Sequence, residues 1–151
     1  MSMSIDQIFD MMSWSCDEET QQKGIEEARK IKHLSVLIQP FEGKDLWENC
    51  AIVIAEKDDK TLERYLIKLF KWIADQNWPG AVIIYERILK MYISSEFLVT
   101  FSCVVKDALL SGNDRWLNNL ASFLDINEIK TQLKKSTLDI LNQYYIGPMS
   151  Y

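Results

Sequence analysis

The chain has 151 residues, of which 48% are hydrophobic and 26% are charged, as in folded proteins and unlike disordered ones. That length fits a single domain covering residues 1–151. Residues 1–75 carry 15 acids and 10 Lys or Arg, whereas residues 76–151 carry seven of each, so the whole net charge of −5 lies in the first half. An acidic half argues against a nucleic-acid ligand, because that affinity depends on clustered Lys and Arg.

Cysteine usage and the N-terminus indicate where the chain is found. Cys16, Cys50 and Cys103 are widely spaced and form no C-x-x-C motif, which indicates reduced thiols. Cys50 and Cys103 lie in apolar runs and are predicted to be small core residues. The N-terminus lacks the basic and apolar regions of a signal peptide, and no apolar run is long enough to span a membrane. We therefore expect a cytoplasmic protein with no membrane contact.

Hydrophobic spacing predicts seven or eight short helices in chain order. Five glycines and three prolines are too few for a β-sandwich of many short strands. The segment 35–39 is interpreted as a helical extension or coil, and the tail 146–151 is expected to fray. The predicted helices cover about residues 4–12, 17–32, 45–56, 58–73, 81–92, 94–110, 114–124 and 127–144. Short turns between such helices favour antiparallel neighbours.

The fourth predicted helix has the clearest periodicity in the chain. Its apolar residues recur at helical spacing, so they form one continuous stripe, with charged residues on the other side. The stripe comprises Leu62, Tyr65, Leu66, Leu69, Phe70 and Ile73. We therefore expect one unbroken helix here.

The sequence "DQNWPGAV" (75–82) predicts a tight corner between two helices. Asp75 and Asn77 have side chains that can cap free backbone N–H groups, and Pro79 is tolerated in a first helical turn. The small pair Gly80–Ala81 would let a neighbouring helix approach closely.

Three tryptophans suggest a repeat of helix pairs. Trp47, Trp78 and Trp116 lie 31 and 38 residues apart, and each begins the second helix of a predicted pair. Periods of this length are typical of helical solenoids, in which each pair buries its apolar face against the next. Each tryptophan is predicted to pack between consecutive pairs, with its indole N–H reaching a turn carbonyl.

Residues 44–124 resemble a bacterial family of small HEAT-like domains of unknown function. The resemblance is carried by "DDKTLERYLIKLFKWIADQNWPGA" (58–81) and "SGNDRWLNNLASFL" (111–124). The family motif W-x-x-D-x-N-W-P is matched by Trp72, Asp75, Asn77, Trp78 and Pro79. The resemblance implies an α-α superhelix, and some relatives look like immunity proteins encoded beside secreted toxins.

The residues predict no enzymatic machinery. His33 is the single histidine, which removes two-His metal sites, and its place in a Lys-rich stretch near a helix end suggests a surface residue. Phosphate-binding and nucleophile-elbow glycine motifs are absent. We predict no catalytic residue, no metal and no cofactor.

Three residues are candidates for contact with a partner. Asp75 and Asn77 either form a polar pocket beside the elbow tryptophans or cap backbone groups and pack the corner. Trp14 lies in a predicted loop, where it is either an exposed anchor for a partner or tucked under the first helix, since tryptophan is favoured at interface hot spots.

The resulting functional prediction is a protein-interaction module. The acidic half suits a basic protein partner, for instance a nuclease toxin that the module neutralises. The alternative is a HEAT-like DNA-repair enzyme of the glycosylase kind, which would need a positively charged concave face. Self-association through an uncapped apolar end is also open, so we expect a monomer or a weak homodimer.

Overall fold

The computed structural model describes residues 3–147, whose regular secondary structure is entirely helical. The α-helices are α1 (Ile5–Met12), α2 (Glu18–Ala28), α3 (Trp47–Ala55), α4 (Asp59–Glu63), α5 (Leu66–Trp72), α6 (Ala81–Leu89), α7 (Ser95–Leu110), α8 (Asp114–Ala121), α9 (Asn127–Gln132) and α10 (Lys135–Asn142). The 3-10 helices are Leu34–Leu37, Lys44–Leu46 and Ser122–Asp125. The predicted all-helical class is confirmed for these residues. In the predicted frayed tail, 146 and 147 are non-helical, and 148–151 lie outside the described residues.

Local capping explains where several helices begin. Ser4 and Gln7 form a reciprocal capping box at α1, which satisfies two otherwise free backbone N–H groups. Asp17 caps α2 by accepting from the Thr20 amide at 2.7 Å, and Asn113 caps α8 in the same way. These helix starts agree with the predicted ones because each capping side chain bonds to an amide only three residues further along the chain.

The fourth predicted helix is broken, which is one reason why the structure has more helices than predicted. It is divided into α4 and α5 at Tyr65, whose amide donates to the Leu62 carbonyl at 2.9 Å in a tighter, three-residue turn. The two pieces satisfy different constraints: Asp59 of α4 pairs with Arg87 at 2.7 Å, whereas α5 packs into the core. The expected single helix was wrong, although its apolar stripe is largely buried.

The last predicted helix is also broken, which brings the number in the described residues to ten. Leu133 and Lys134 adopt extended backbone angles and separate α9 from α10. α9 packs against the 3-10 helix at Ser122–Asp125, whereas α10 packs against α7 and α8. The break lets the two pieces face different neighbours.

Two pairs of helical segments that are not consecutive in the chain pack side by side. α3 packs on α6, with Gly80 at the start of α6 against the first residue of α3, Trp47, and Arg87 near its end donating to the Ala55 carbonyl at 3.1 Å. The segment α4–α5 runs along α7 likewise: Glu63 meets Ser94 at 3.1 Å near the starts, and α5 and α7 then pack along their lengths. α1 packs on α2, which packs on α3, whereas α8 and α10 pack on α7.

The centre of the core is a cluster of phenylalanines around Phe70. Its ring centroid lies 5.8 Å from that of Phe97, 5.5 Å from that of Phe101 and 5.7 Å from that of Phe123, and all four side chains are buried. Edge-to-face pairs at such distances add to the free energy gained by burial. The cluster joins α5, α7 and the 3-10 helix that follows α8.

α7 is the longest of these helices, with 16 residues. No helix among residues 3–147 combines the length and apolar character needed to cross a membrane. Phe101, Val104 and Val105 are buried on one side of α7, whereas Cys103 is exposed on the other. The prediction that Cys103 is a core residue was wrong, because its apolar neighbours in sequence occupy the opposite helical face.

Candidate functional site

In the elbow, residues 72–80, polar side chains form hydrogen bonds with other residues of the protein. Asp75 accepts from the Asn77 amide at 2.9 Å with one carboxylate oxygen, while the other accepts from Arg115 at 2.9 Å. The Trp72 indole N–H donates to the Pro79 carbonyl at 3.1 Å. Asp75 thus bonds a backbone N–H as predicted, but it does so within the corner, since Gly80 is the N-cap of α6 and no side chain caps that helix.

The helix after the elbow begins at Ala81, as predicted, but Pro79 is placed differently. α6 starts at Ala81, and its N-cap Gly80 has φ +79°, so Pro79 precedes the helix and does not lie in its first turn. A Cβ atom on Gly80 would lie 2.8 Å from the Ala51 Cβ and 2.9 Å from the Trp47 carbonyl oxygen. The predicted close approach of a neighbouring helix is therefore confirmed, and α3 is that helix.

The three repeated tryptophans do not play the same role. Trp47 donates its indole N–H to the turn carbonyl of Glu42 at 2.8 Å, as predicted. Trp116 instead donates to a helix carbonyl, that of Phe70 near the end of α5, at 3.0 Å. Trp78 is only partly buried, and its ring packs edge-on against Trp47 with centroids 5.6 Å apart. Within the elbow it is Trp72, fully buried, that donates to a turn carbonyl.

Trp14 lies on a short turn that is hydrogen-bonded to the 3-10 helix Lys44–Leu46, just before α3. Its backbone N–H donates to the Asp45 carbonyl at 3.1 Å, and the neighbouring Ser13 hydroxyl donates to the Asp45 carboxylate. Ser13 also accepts from the Ser15 amide at 3.2 Å. The Trp14 side chain nevertheless remains 47% exposed. Of the two alternatives for Trp14, the structure favours the exposed one.

The same turn borders a cleft of about 500 Å³, here called the acidic cleft. Its lining residues are Asp6, Phe9, Asp10, Ser13, Ser15, Glu42, Asp45 and Leu46. The lining thus includes four carboxylates and neither Lys nor Arg. Within residues 3–147 none of the four forms a salt bridge, although five other acidic side chains do. The negative charge of this cleft is therefore left to solvent or to an incoming group.

A second exposed aromatic side chain stands next to the acidic cleft. Phe41 is 79% exposed and directly precedes the cleft residue Glu42. The buried Gln39 side chain accepts from the amides of Phe41 at 2.9 Å and Glu42 at 2.7 Å, so the turn has a defined conformation. Hydrogen bonds therefore fix the backbone at both Trp14 and Phe41, whose aromatic side chains are exposed.

The structure separates the predicted site residues into two places. Trp14 is bound to Asp45, whereas Asp75 is paired with Arg115 and Asn77 is exposed at the elbow. A contact of Asp75 or Asn77 with a partner stays a prediction. The sequence interpretation missed Phe41 and the cleft acids, although the i, i+4 spacing of Asp6 and Asp10 on one helix face was a local signal.

Groups suited to metal binding or nucleophilic chemistry are scarce in the part of the chain that the structure describes. No three His, Cys, Asp or Glu side chains among residues 3–147 are placed to hold a metal ion. His33 is exposed. Burial raises the pKa of the Cys50 thiol to about 12, which keeps it protonated and a poor nucleophile.

Comparison with known proteins identifies no relative. No protein-family model, curated protein or solved structure matches the chain. The resemblance to HEAT-like domains therefore stays a prediction, and the candidate site has to be argued from its own geometry.

Proposed function

We propose that this protein is a non-enzymatic, cytoplasmic protein-interaction module that binds a basic protein partner at the acidic cleft. The observation that carries the proposal is a concavity with four carboxylates outside any described salt bridge, bordered by the half-exposed Trp14. Trp14 is retained from the sequence interpretation as the anchor residue.

The chemistry of the cleft defines the partner's side chains. Exposed carboxylates form short, charge-assisted hydrogen bonds with Arg and Lys, and Arg can pair with both oxygens of one carboxylate. Clustered charges of one sign also speed association with a partner of opposite sign. Trp14 and Phe41 would supply the apolar area that makes such a contact stable, because aromatic anchors dominate interface energetics.

We further propose that the helices form an α-α superhelix of the HEAT-like type. The support is that α3 lies along α6, and α5 along α7, each pair running in one direction, as the equivalent helices of successive repeats do. The acidic cleft would then lie at the N-terminal end of the stack, where α1 and the turn after it meet residues 42–46. Neutralisation of a basic toxin, such as a nuclease, is the biological role that agrees best with this charge.

The test is affinity capture from native extract with the wild-type chain and with two charge variants. Asp10→Lys/Glu42→Lys reverses two charges in the cleft, and Asp107→Lys/Asp139→Lys makes the same change in net charge on exposed residues of α7 and α10. We expect a basic protein to be retained by the wild type and by the second variant but lost from the first. Circular dichroism checks that all three chains are folded.

The captured protein is then purified and titrated against each variant. We expect Trp14→Ala to weaken binding about tenfold or more, and added salt to weaken it further. Capture of an acidic protein, equal binding by both charge variants, or a preference for duplex DNA as a counter-probe would each contradict the proposal. DNA binding would favour the glycosylase alternative.

A further inference from the structure

A second surface, far along the chain from the acidic cleft, has a different character. Between α7 and the break that joins α9 to α10 lies an open groove of about 710 Å³, here called the α7–α10 groove. Most of its exposed lining is apolar, and it includes Val99, which is 61% exposed, and Leu110, which is 76% exposed.

The apolar lining is unusual for the outer face of a helix. α7 already buries one face, with Phe97, Phe101 and Val105 in the core. The opposite face of such a helix is normally polar, whereas α7 presents Val99 and Leu110 to solvent. Contiguous exposed apolar surface of this kind marks interaction sites in soluble proteins.

The charged residues of the groove indicate the charge of the ligand that would bind there. Lys106 and Lys134 are the charged residues that line it, both are exposed, and no carboxylate is part of the lining. Neither lysine forms a salt bridge with another residue in the range 3–147. An occupant with carboxylates beside its apolar residues would pair with both ammonium groups.

A second copy of the chain fits this surface less well. In a symmetric dimer the same patch lies on both sides of the contact. Two α7–α10 grooves facing each other would place four lysines and no lining carboxylate in one interface. Like charges opposed in an interface cost free energy, so the charge pattern disfavours that dimer.

The length of the groove matches that of a short helix. Its lining along α7 runs from Ser95 to Leu110, and at 1.5 Å per residue this is about 22 Å, or roughly four helical turns. An amphipathic helix of about 15 residues with an apolar stripe at i, i+3, i+4 and i+7 matches that length. Isolated helices of this size are marginally stable, so the groove would order the peptide as it binds.

We propose that the α7–α10 groove binds an amphipathic helix whose apolar stripe is flanked by acidic residues. The protein then has two docking surfaces of opposite preference: a basic partner at the acidic cleft and an acidic helix at the groove. This site goes beyond the proposed function and does not depend on it.

The test is selection from a displayed library of 15-residue helical peptides. Each peptide has a fixed leucine stripe, and its flanking positions are randomised among Glu, Gln and Lys. We expect Glu to be enriched on the wild-type chain, and the selected peptides to bind Lys106→Glu/Lys134→Glu roughly tenfold more weakly. The variants Val99→Glu and Leu110→Glu should lose binding; both change exposed positions, so the fold should tolerate them.

Cys103 provides an independent readout, because it lines the groove and is exposed. In a Cys16→Ser background, maleimide labelling of the folded chain should occur at Cys103, since Cys50 is buried. A selected peptide should slow this labelling at least about fivefold at saturation, whereas Trp14→Ala, beside the acidic cleft, should leave the protection unchanged.

Three results would overturn the inference. One is enrichment of Lys, or no charge preference, among the selected peptides. The second is selection that is equally strong on the Val99→Glu chain. The third is protection of Cys103 that rises with protein concentration in the absence of peptide, which would make a second copy the occupant.

Discussion

The elbow and the Trp14 turn are both corners that contain a tryptophan, but their hydrogen bonds fix different groups. In the elbow Trp72 is fully buried, and its N–H is bonded to the corner's own backbone. In the Trp14 turn the hydrogen bonds hold only the backbone and the serine hydroxyls, and the indole ring remains half exposed. The elbow stabilises the fold, whereas the turn presents a side chain.

This contrast shows that an unusual motif and a functional surface need not coincide. The motif W-x-x-D-x-N-W-P stands out in the sequence, and its internal contacts explain Trp72 and Asp75. The segment around Trp14 contains no such motif, but it borders the acidic cleft.

The largest expected loss of stability is in the elbow. Trp72→Ala removes a fully buried indole and its hydrogen bond to Pro79, so the free energy of unfolding should fall by about 3–5 kcal/mol. Urea denaturation followed by circular dichroism measures the change. A loss below about 1 kcal/mol would show that the corner does not stabilise the fold.

A pair of glycine variants separates backbone strain from close approach. Gly80 and Gly112 both have positive φ, at +79° and +66°, so alanine at either costs about 1–2 kcal/mol. Only at Gly80 would the new Cβ meet α3, whereas at Gly112 nothing lies within 4 Å. Gly80→Ala should therefore lose about 1–3 kcal/mol more than Gly112→Ala in the same denaturation experiment. Equal losses would contradict the tight contact between α3 and the elbow.

Asp75 and Asn77 are expected to differ although both belong to the motif. Asp75→Ala removes the bonds to the Asn77 amide and to Arg115, which should cost about 1–2 kcal/mol. Asn77→Ala changes an exposed side chain and should stay within about 0.5 kcal/mol. Thermal unfolding of both variants checks the difference. If Asn77→Ala proved the more destabilising, the elbow geometry described above would be wrong.

The smallest effect on stability is expected at Trp14, where the effect on binding is expected to be large. Because the ring is half exposed, Trp14→Ala should lower the free energy of unfolding by less than about 1 kcal/mol. The same urea series measures it beside Trp72→Ala. A loss as large as that of Trp72→Ala would mean that Trp14 is a packing residue, and it would remove the anchor from the proposed site.

The features that the sequence predicted well are local in the chain. The helix starts near residues 4, 17 and 114 were predicted correctly, because the residues that cap them, Ser4, Asp17 and Asn113, each bond to an amide only three residues away. The buried stripe of α5 follows from helical periodicity for the same reason.

The features that it predicted poorly depend on contacts between distant segments. The break at Tyr65 falls at a stripe position, so hydrophobic periodicity does not predict it, and Asp59 on the near side of the break pairs with Arg87, 28 residues away. The acidic cleft joins residues of α1, the following turn and the segment 42–46, so no single window of sequence contains it. Cys103 shows the same limit, because periodicity alone left open which face of α7 the core would take.

The buried Cys50 gives the molecule a built-in reporter of conformational opening. Its thiol lies in α3, beneath the Gln39 side chain that organises the Phe41 turn, and its raised pKa makes it inert while that region stays closed. With Cys16 and Cys103 replaced by serine, the rate at which Cys50 is alkylated would therefore measure how often the N-terminal half exposes its interior. Comparing this rate with and without a bound partner would show whether binding at the acidic cleft makes the region around α3 open less often.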